Sequence, residues 1–240
     1  RRCMSVMTTM PPRLGEAFER VQSDIDSAFD AFLPVPDDSR ARLVEAMRYA
    51  AIGAGKRMRP LLLVATSELF GVNRNAAINA GCAVEAIHAY SLIHDDLPAM
   101  DDDELRRGKP TCHVKFDEAT AILAGDALLT KAFEVLSEED THADPKVRSE
   151  LTLALAKAAG EAGMVGGQML DLFAEDHDLK MPEITRLQRM KTGALIAVSC
   201  EAGAILGKAS ENAHHVLHAY AHDVGLAFQI ADDLLDVEGD

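Results

Sequence analysis

The feature that most restricts what this chain can fold into is a long apolar run that ends in acid. Residues 85–97, EAIHAYSLIHDDL, repeat apolar positions at helical spacing, and five aspartates then crowd into the nine positions from Asp95 to Asp103, just ahead of Arg106 and Arg107. Pro98 interrupts the helix between Asp95-Asp96 and Asp101-Asp102-Asp103. Carboxylates this dense repel one another unless they are solvated, paired with cations or neutralised by a bound metal. Taken alone, an exposed helix end explains such a run well enough. A second cluster shifts the balance: Phe228–Asp236, FQIADDLLD, repeats the arrangement without interruption and places Asp232 and Asp236 one turn apart on a helical face. Two apolar helices therefore end in carboxylates.

The remaining segments also read at helical period, with abundant Ala, Leu, Met, Glu and Lys and little β-branched alternation. The pattern predicts an all-α protein with helices over 13–32, 39–53, 58–70, 74–97, 116–137, 145–175, 182–207 and 211–237. Short breaks containing Pro or Gly separate them, which favours antiparallel neighbours in a bundle. None is long or Ser-rich enough to link domains, so a single domain is expected over 13–240 after a tail at 1–12.

At 240 residues and 48% hydrophobic, the chain is long enough to bury a large core. A formal net charge of −15 argues against nucleic acid or an anionic membrane surface as the partner, since either needs a broad basic face. Cys3, Cys82, Cys112 and Cys200 show no short pairing pattern, which suits a reducing cytoplasm. The first twelve residues lack the continuous apolar segment of a secretory signal, and no run is expected to span a membrane.

Oxygen-only acidic clusters suit a hard cation, and Mg²⁺ commonly completes its shell with waters and substrate phosphate oxygens. A phosphorylated ligand is thus expected, held also by Arg106, Arg107 and the basic run Lys56-Arg57-Met58-Arg59. In GAGKRMRP, glycines precede Lys56 and Arg59, so backbone N–H groups and a helix N-terminus can approach an anion; ordinary surface cations read equally well. His88 shares a helical face with Asp95, although most such histidines are simply packed or solvated. Tyr90 and Ser91 lie within two turns of the carboxylates, where they line a cavity or pack in a core. Gln168 and Asp171 follow the Gly166-Gly167 pair, whose commoner use is close helix approach, and Lys191-Thr192-Gly193 joins a cation to a residue that loosens a helix.

These motifs, GKRMRP, HDDLPAMDDDELRRGKPT, GGQMLDL, KTG and FQIADDLLD, occur in the order found in the trans-isoprenyl diphosphate synthases, and the chain resembles that family from about Gly53 to Asp240. The resemblance is strongest to its bacterial farnesyl diphosphate synthases. It implies an antiparallel all-α bundle around a central apolar cavity, a cytoplasmic homodimer, and condensation of isopentenyl diphosphate with an allylic diphosphate. In that reading Asp95, Asp96 and Asp101, with Asp232, Asp233 and Asp236 on the opposite wall and Asp171 nearby, hold Mg²⁺, with three ions when substrate is bound. Arg106 contacts the allylic diphosphate, while Gly55, Lys56, Arg59, His88, Arg107 and Gln168 bind substrate. Lys191, Thr192 and Gln229 lie near the developing cation, and Tyr90 with Ser91 sets chain length.

Geranylgeranyl diphosphate is the alternative product, and a noncatalytic prenyltransferase subunit the alternative class. A terpene cyclase would lack the second aspartate motif and the GKRMRP pocket, and a calcium module would need the glycine and terminal Glu of an EF-hand loop. The family continues beyond the position of Asp240, so helices are expected to be missing from the C-terminal side.

Overall fold

The computed structural model describes the backbone of residues 11–53 and 55–238, and side chains as far as residue 230. Its helices in chain order are α1 (Pro12–Phe32), α2 (Ala41–Ala51), α3 (Met58–Leu69), α4 (Arg74–Asp95), α5 (Cys112–Lys115), α6 (Glu118–Ser137), α7 (Pro145–Ala159), α8 (Met164–Glu175), α9 (Met181–Gln188), α10 (Ala194–Leu206) and α11 (Glu211–Glu238). A π-helical turn, Arg189–Gly193, joins α9 to α10, and two short strands, β1 (Leu105–Arg106) and β2 (Lys109–Pro110), form a hairpin. The all-α expectation stands. The first ten residues of the predicted tail lie outside the described residues, and Pro12 already begins α1.

Several helix starts follow from local chemistry. Asp117 accepts the Thr120 N–H at 2.7 Å ahead of α6, Asn73 accepts the Asn75 N–H at 2.8 Å ahead of α4, and Asp144 accepts the Lys146 N–H at 3.0 Å ahead of α7. Two predicted helices are broken. The segment expected over 145–175 divides at Gly160–Gly163, because a Cβ at Gly163 would stand 2.0 Å from the Ala158 carbonyl oxygen, a position only glycine tolerates. The helix expected over 182–207 contains the π turn at Arg189–Gly193.

The described chain divides into two compact units, each assembled from two stretches: Arg1–Leu61 with Ile78–Val135, and Leu62–Ala77 with Leu136–Asp240. Neither is a continuous segment, so no linker composition announces them where the sequence suggests one domain. In the first unit, α1 buries Val21, Ile25 and Phe29, one residue per turn, and Leu33 just past its end continues the stripe. Full burial of each such side chain stabilises the fold by about 1.5–3 kcal/mol. In the second, α10 is buried almost throughout and packs on α7 and α11, with Gly203 against Thr66 and Ser67.

Among the described residues, α4 is the one helix long and apolar enough to cross a membrane, yet 72% of its most apolar window is buried inside the protein, as suits a core helix. Cys82, Cys112 and Cys200 are free and buried, and burial raises all three thiols above their ordinary range, those of Cys112 and Cys200 to about 11.

Candidate active site

The first aspartate motif sits where α4 stops. Asp95 is the last helical residue, and the chain then turns tightly, with Met100 N–H donating to the Leu97 carbonyl at 2.8 Å and Asp101 N–H to the Asp95 carbonyl at 2.9 Å. This second bond brings Asp101 back beside Asp95 despite the five residues between them. Asp96 turns inward, 3% exposed, and the Arg106 guanidinium grips both of its oxygens, with Nε at 2.8 and 3.0 Å and Nη2 at 2.6 Å.

Arg106 reaches Asp96 because β1 and β2 pair Leu105 with Pro110 and Arg106 with Lys109, leaving Arg107 and Gly108 as the turn. Both turn residues have positive φ, 53° and 75°, as a two-residue hairpin of this twist requires. For an arginine that conformation costs about 1 kcal/mol. The hairpin was not evident from the sequence; the single cue was Gly108, because strands of two residues each are too short to show alternation.

The basic loop and His88 meet in the same unit. A Cβ on Gly55, which has φ +73°, would stand 2.7 Å from Arg107 Nη1, so the guanidinium lies directly against the loop backbone. Burial pushes the His88 imidazole well below its ordinary range, and Arg59, Arg107, Arg106 and Arg57 push it further in the same direction. Burial also lowers Arg59, whose Nε is enclosed without a hydrogen-bond partner. Guanidinium groups converging on a neutral imidazole form an electropositive pocket suited to a polyanion. Lys56 is exposed beside it.

A neutral His88 makes acid destabilising. The unfolded chain takes up a proton below about pH 6.5 that the folded state refuses, so stability is lost as pH falls through that value. Between pH 7.5 and 5.5 the wild-type unfolding free energy, from urea denaturation at each pH, is expected to fall more steeply than that of His88→Gln, by at most about 1.4 kcal/mol per pH unit. Parallel curves would mean that His88 titrates normally.

Tyr90 is 8% exposed and meets His94 edge to face at 5.7 Å, while Ser91 Oγ donates to the His88 carbonyl at 2.8 Å. A cavity of about 200 Å³ opens on the neighbouring face of α4, lined by Ala89, Leu92, Ile93 and Asp96 together with Arg106 and Arg107. Tyr90 and Ser91 do not line it.

In the second unit the π turn carries Lys191 and Thr192. Lys191 Nζ pairs with Asp171 on α8, an approach that Gly167 permits because a Cβ there would stand 2.2 Å from Lys191 N. The side-chain amide nitrogens of Gln168 and Gln229 are each buried without a hydrogen-bond partner. The side chains of Asp232, Asp233 and Asp236 lie outside the described residues, though their backbone continues α11.

Residues 40–240 match the family described as polyprenyl synthetase. The chain belongs to that family. It is 50% identical over 231 residues to farnesyl diphosphate synthase of Escherichia coli, covering 95% of this chain and 76% of that protein. The farnesyl diphosphate synthase of Haemophilus influenzae is 46% identical over 231 residues, covering 94% of this chain and 77% of the relative. A crystal structure of an FPP/GFPP synthase from Zymomonas mobilis superposes with a TM-score of 0.93 at 60% identity, covering 95% of this chain and 83% of the other. A polyprenyl synthetase of this kind is a prenyltransferase enzyme on the all-α isoprenoid synthase fold.

Arg57, expected with Lys56 and Arg59 among the anion-binding cations, is placed elsewhere. Its guanidinium is buried, 2% exposed, and is held by Asp26 and Glu85, so its charge is spent inside the protein. Glu85, an acid within the apolar run of α4, was the sequence signal for that partner.

Proposed function

We propose that the chain condenses isopentenyl diphosphate head to tail with dimethylallyl or geranyl diphosphate to give farnesyl diphosphate, using Mg²⁺. The observation that carries this reading is 50% identity to a bacterial farnesyl diphosphate synthase across nearly the whole chain. Cytoplasmic location and assembly as a homodimer belong to the same reading.

The donor set fits a hard cation. Asp95 and Asp101 offer only carboxylate oxygens and are drawn together by the Asp101 N–H bond, while the nearby His94 turns its Nε2 to the Ile122 carbonyl at 3.0 Å. Asp95 and Asp101 would hold Mg²⁺, with Asp232, Asp233 and Asp236 holding further ions to a total of three, and Asp171 nearby. When bound, Mg²⁺ neutralises the diphosphate and stabilises it as a leaving group.

Asp96 supports this end of the site by aiming Arg106 at the allylic diphosphate. Lys56, Arg59 and Arg107, with the loop backbone at Gly55, bind the diphosphate of isopentenyl diphosphate. A neutral His88 can donate an N–H to the same group without adding charge. Gln168, Thr192 and Gln229, with the main-chain carbonyl of Lys191, supply dipoles that favour positive charge as the allylic C–O bond breaks. The isopentenyl double bond then attacks, and a proton leaves to the departed diphosphate. Apolar walls exclude the water that would otherwise capture the cation.

Incubation with Mg²⁺, isopentenyl diphosphate and either allylic diphosphate, followed by chromatography, is expected to yield farnesyl diphosphate. A cyclic hydrocarbon, or no turnover by the purified chain, would reject the reading. The FPP/GFPP description of the Zymomonas mobilis relative favours a second reading in which longer products also form. In this reading Tyr90 decides between them, a buried ring on α4 five residues before Asp95 that limits elongation. Tyr90→Ala is expected to shift the main product by at least one isoprene unit; an unchanged product distribution would remove Tyr90 from length control.

A further inference from the structure

We infer that Arg57 is a positioning residue: with Asp26 and Glu85 it shapes the basic loop so that Lys56 and Arg59 are aimed at a diphosphate, while contributing no attraction of its own. The inference rests on the proposed reading of Lys56 and Arg59 as diphosphate ligands.

Arg57 is buried where its neighbour Lys56 is exposed. Its Nη1 donates to Glu85 Oε1 at 2.9 Å, its Nη2 donates to Asp26 Oδ1 at 2.7 Å and to the Ala51 carbonyl, and the guanidinium lies 5.9 Å from the Phe29 ring centre. One cation between two buried or half-buried acids leaves nothing to draw in a distant anion.

The same network controls the backbone. Asp26 Oδ1 also accepts the Gly53 N–H at 3.2 Å, so one carboxylate ties together both ends of the loop from Gly53 to Arg57. Gly53 and Gly55 have positive φ, 70° and 73°, and Arg57 follows with +55°, a conformation an arginine does not take without tertiary restraint. Left-handed residues thus stand on either side of Lys56 and fix the course of the loop around it. The Arg57 carbonyl accepts the Leu61 N–H at 3.0 Å and so fixes where α3 begins, which sets the direction of Arg59 in its first turn. Glu85 lies three residues before His88 on α4, so the network also fixes the loop against the imidazole.

The test measures calorimetric binding of isopentenyl diphosphate and of dimethylallyl diphosphate, with steady-state KM values and melting temperatures, for wild type, Arg57→Met, Arg57→Lys and Glu85→Gln. Arg57→Met is expected to weaken isopentenyl diphosphate binding about tenfold or more, within the range that a 1 Å misplacement costs, while dimethylallyl diphosphate binding stays within about twofold. Arg57→Lys should recover only part of the loss, since an ammonium cannot fork between two acids. If Arg57→Met does not fold, Arg57→Lys and Glu85→Gln must show the same selective weakening. Wild-type failure to bind isopentenyl diphosphate would overturn the proposed function and this inference with it. Wild-type binding with variants that bind equally well, or that lose both ligands in parallel with a lowered melting temperature, would overturn the inference alone.

Discussion

Replacing Asp95 with alanine is expected to lower turnover by about 10³-fold, the scale seen when a group that stabilises developing charge is removed. The argument is local. Asp95 ends α4 half-buried, and its carbonyl, which alanine retains, is what accepts the Asp101 N–H and shapes the turn. The substitution therefore removes carboxylate oxygens and keeps the backbone hydrogen bond that shapes the turn. Asp103→Ala is the control: its side chain lies 4.0 Å from Arg106, and its structural contribution is a carbonyl that accepts the Thr111 hydroxyl at 2.7 Å. Kinetics over a Mg²⁺ titration, with chelation as the zero point, would separate the two. A rate for Asp95→Ala within tenfold of wild type would remove this carboxylate from the chemistry.

The second large effect is expected from a single methyl group. In Gly167→Ala the new Cβ would stand 2.2 Å from Lys191 N, 2.6 Å from Lys191 Cα and 2.8 Å from the Met190 carbonyl carbon. All three are backbone atoms, so no rotamer change relieves the clash, and α8 must separate from the π turn. Overpacking of this kind costs about 3 kcal/mol. The shift also draws Lys191 from Asp171, so activity should fall along with stability. Gly15→Ala gives the internal comparison: it lies within α1 with nothing near its added Cβ, and should gain up to about 1 kcal/mol. Urea denaturation of both variants checks the pair; a loss below about 1 kcal/mol for Gly167→Ala would show that the two segments can part freely.

Much of the architecture was legible because helices are written in short-range periodicity. The stripe Val21, Ile25, Phe29 and Leu33, the apolar body of α4, and the capping Asp117 and Asp144 each carry their meaning within one or two turns. The candidate site was legible for a related reason. Carboxylates and guanidinium groups crowded at the end of an apolar helix are costly unless they bind something, and Asp95, Asp101, Arg106 and Arg107 fall within thirteen positions, 95–107.

What the sequence determined by itself was thus the helical class, the placement of the acid-tipped helices and the kind of ligand they suit. The tertiary structure alone decided how the charges were assigned. Asp96 and Arg106 neutralise each other, and Arg57 is turned inward by partners 28 and 31 residues away, Glu85 and Asp26, while its neighbour Lys56 is left exposed. The break at Gly160–Gly163 and the π turn against Gly167 were decided the same way, by backbone meeting backbone across a chain reversal. Periodicity reports which face of a helix is buried, because that depends on residues a turn apart. It does not report which acid uses up which base, because that pairing depends on distances closed only when remote segments pack.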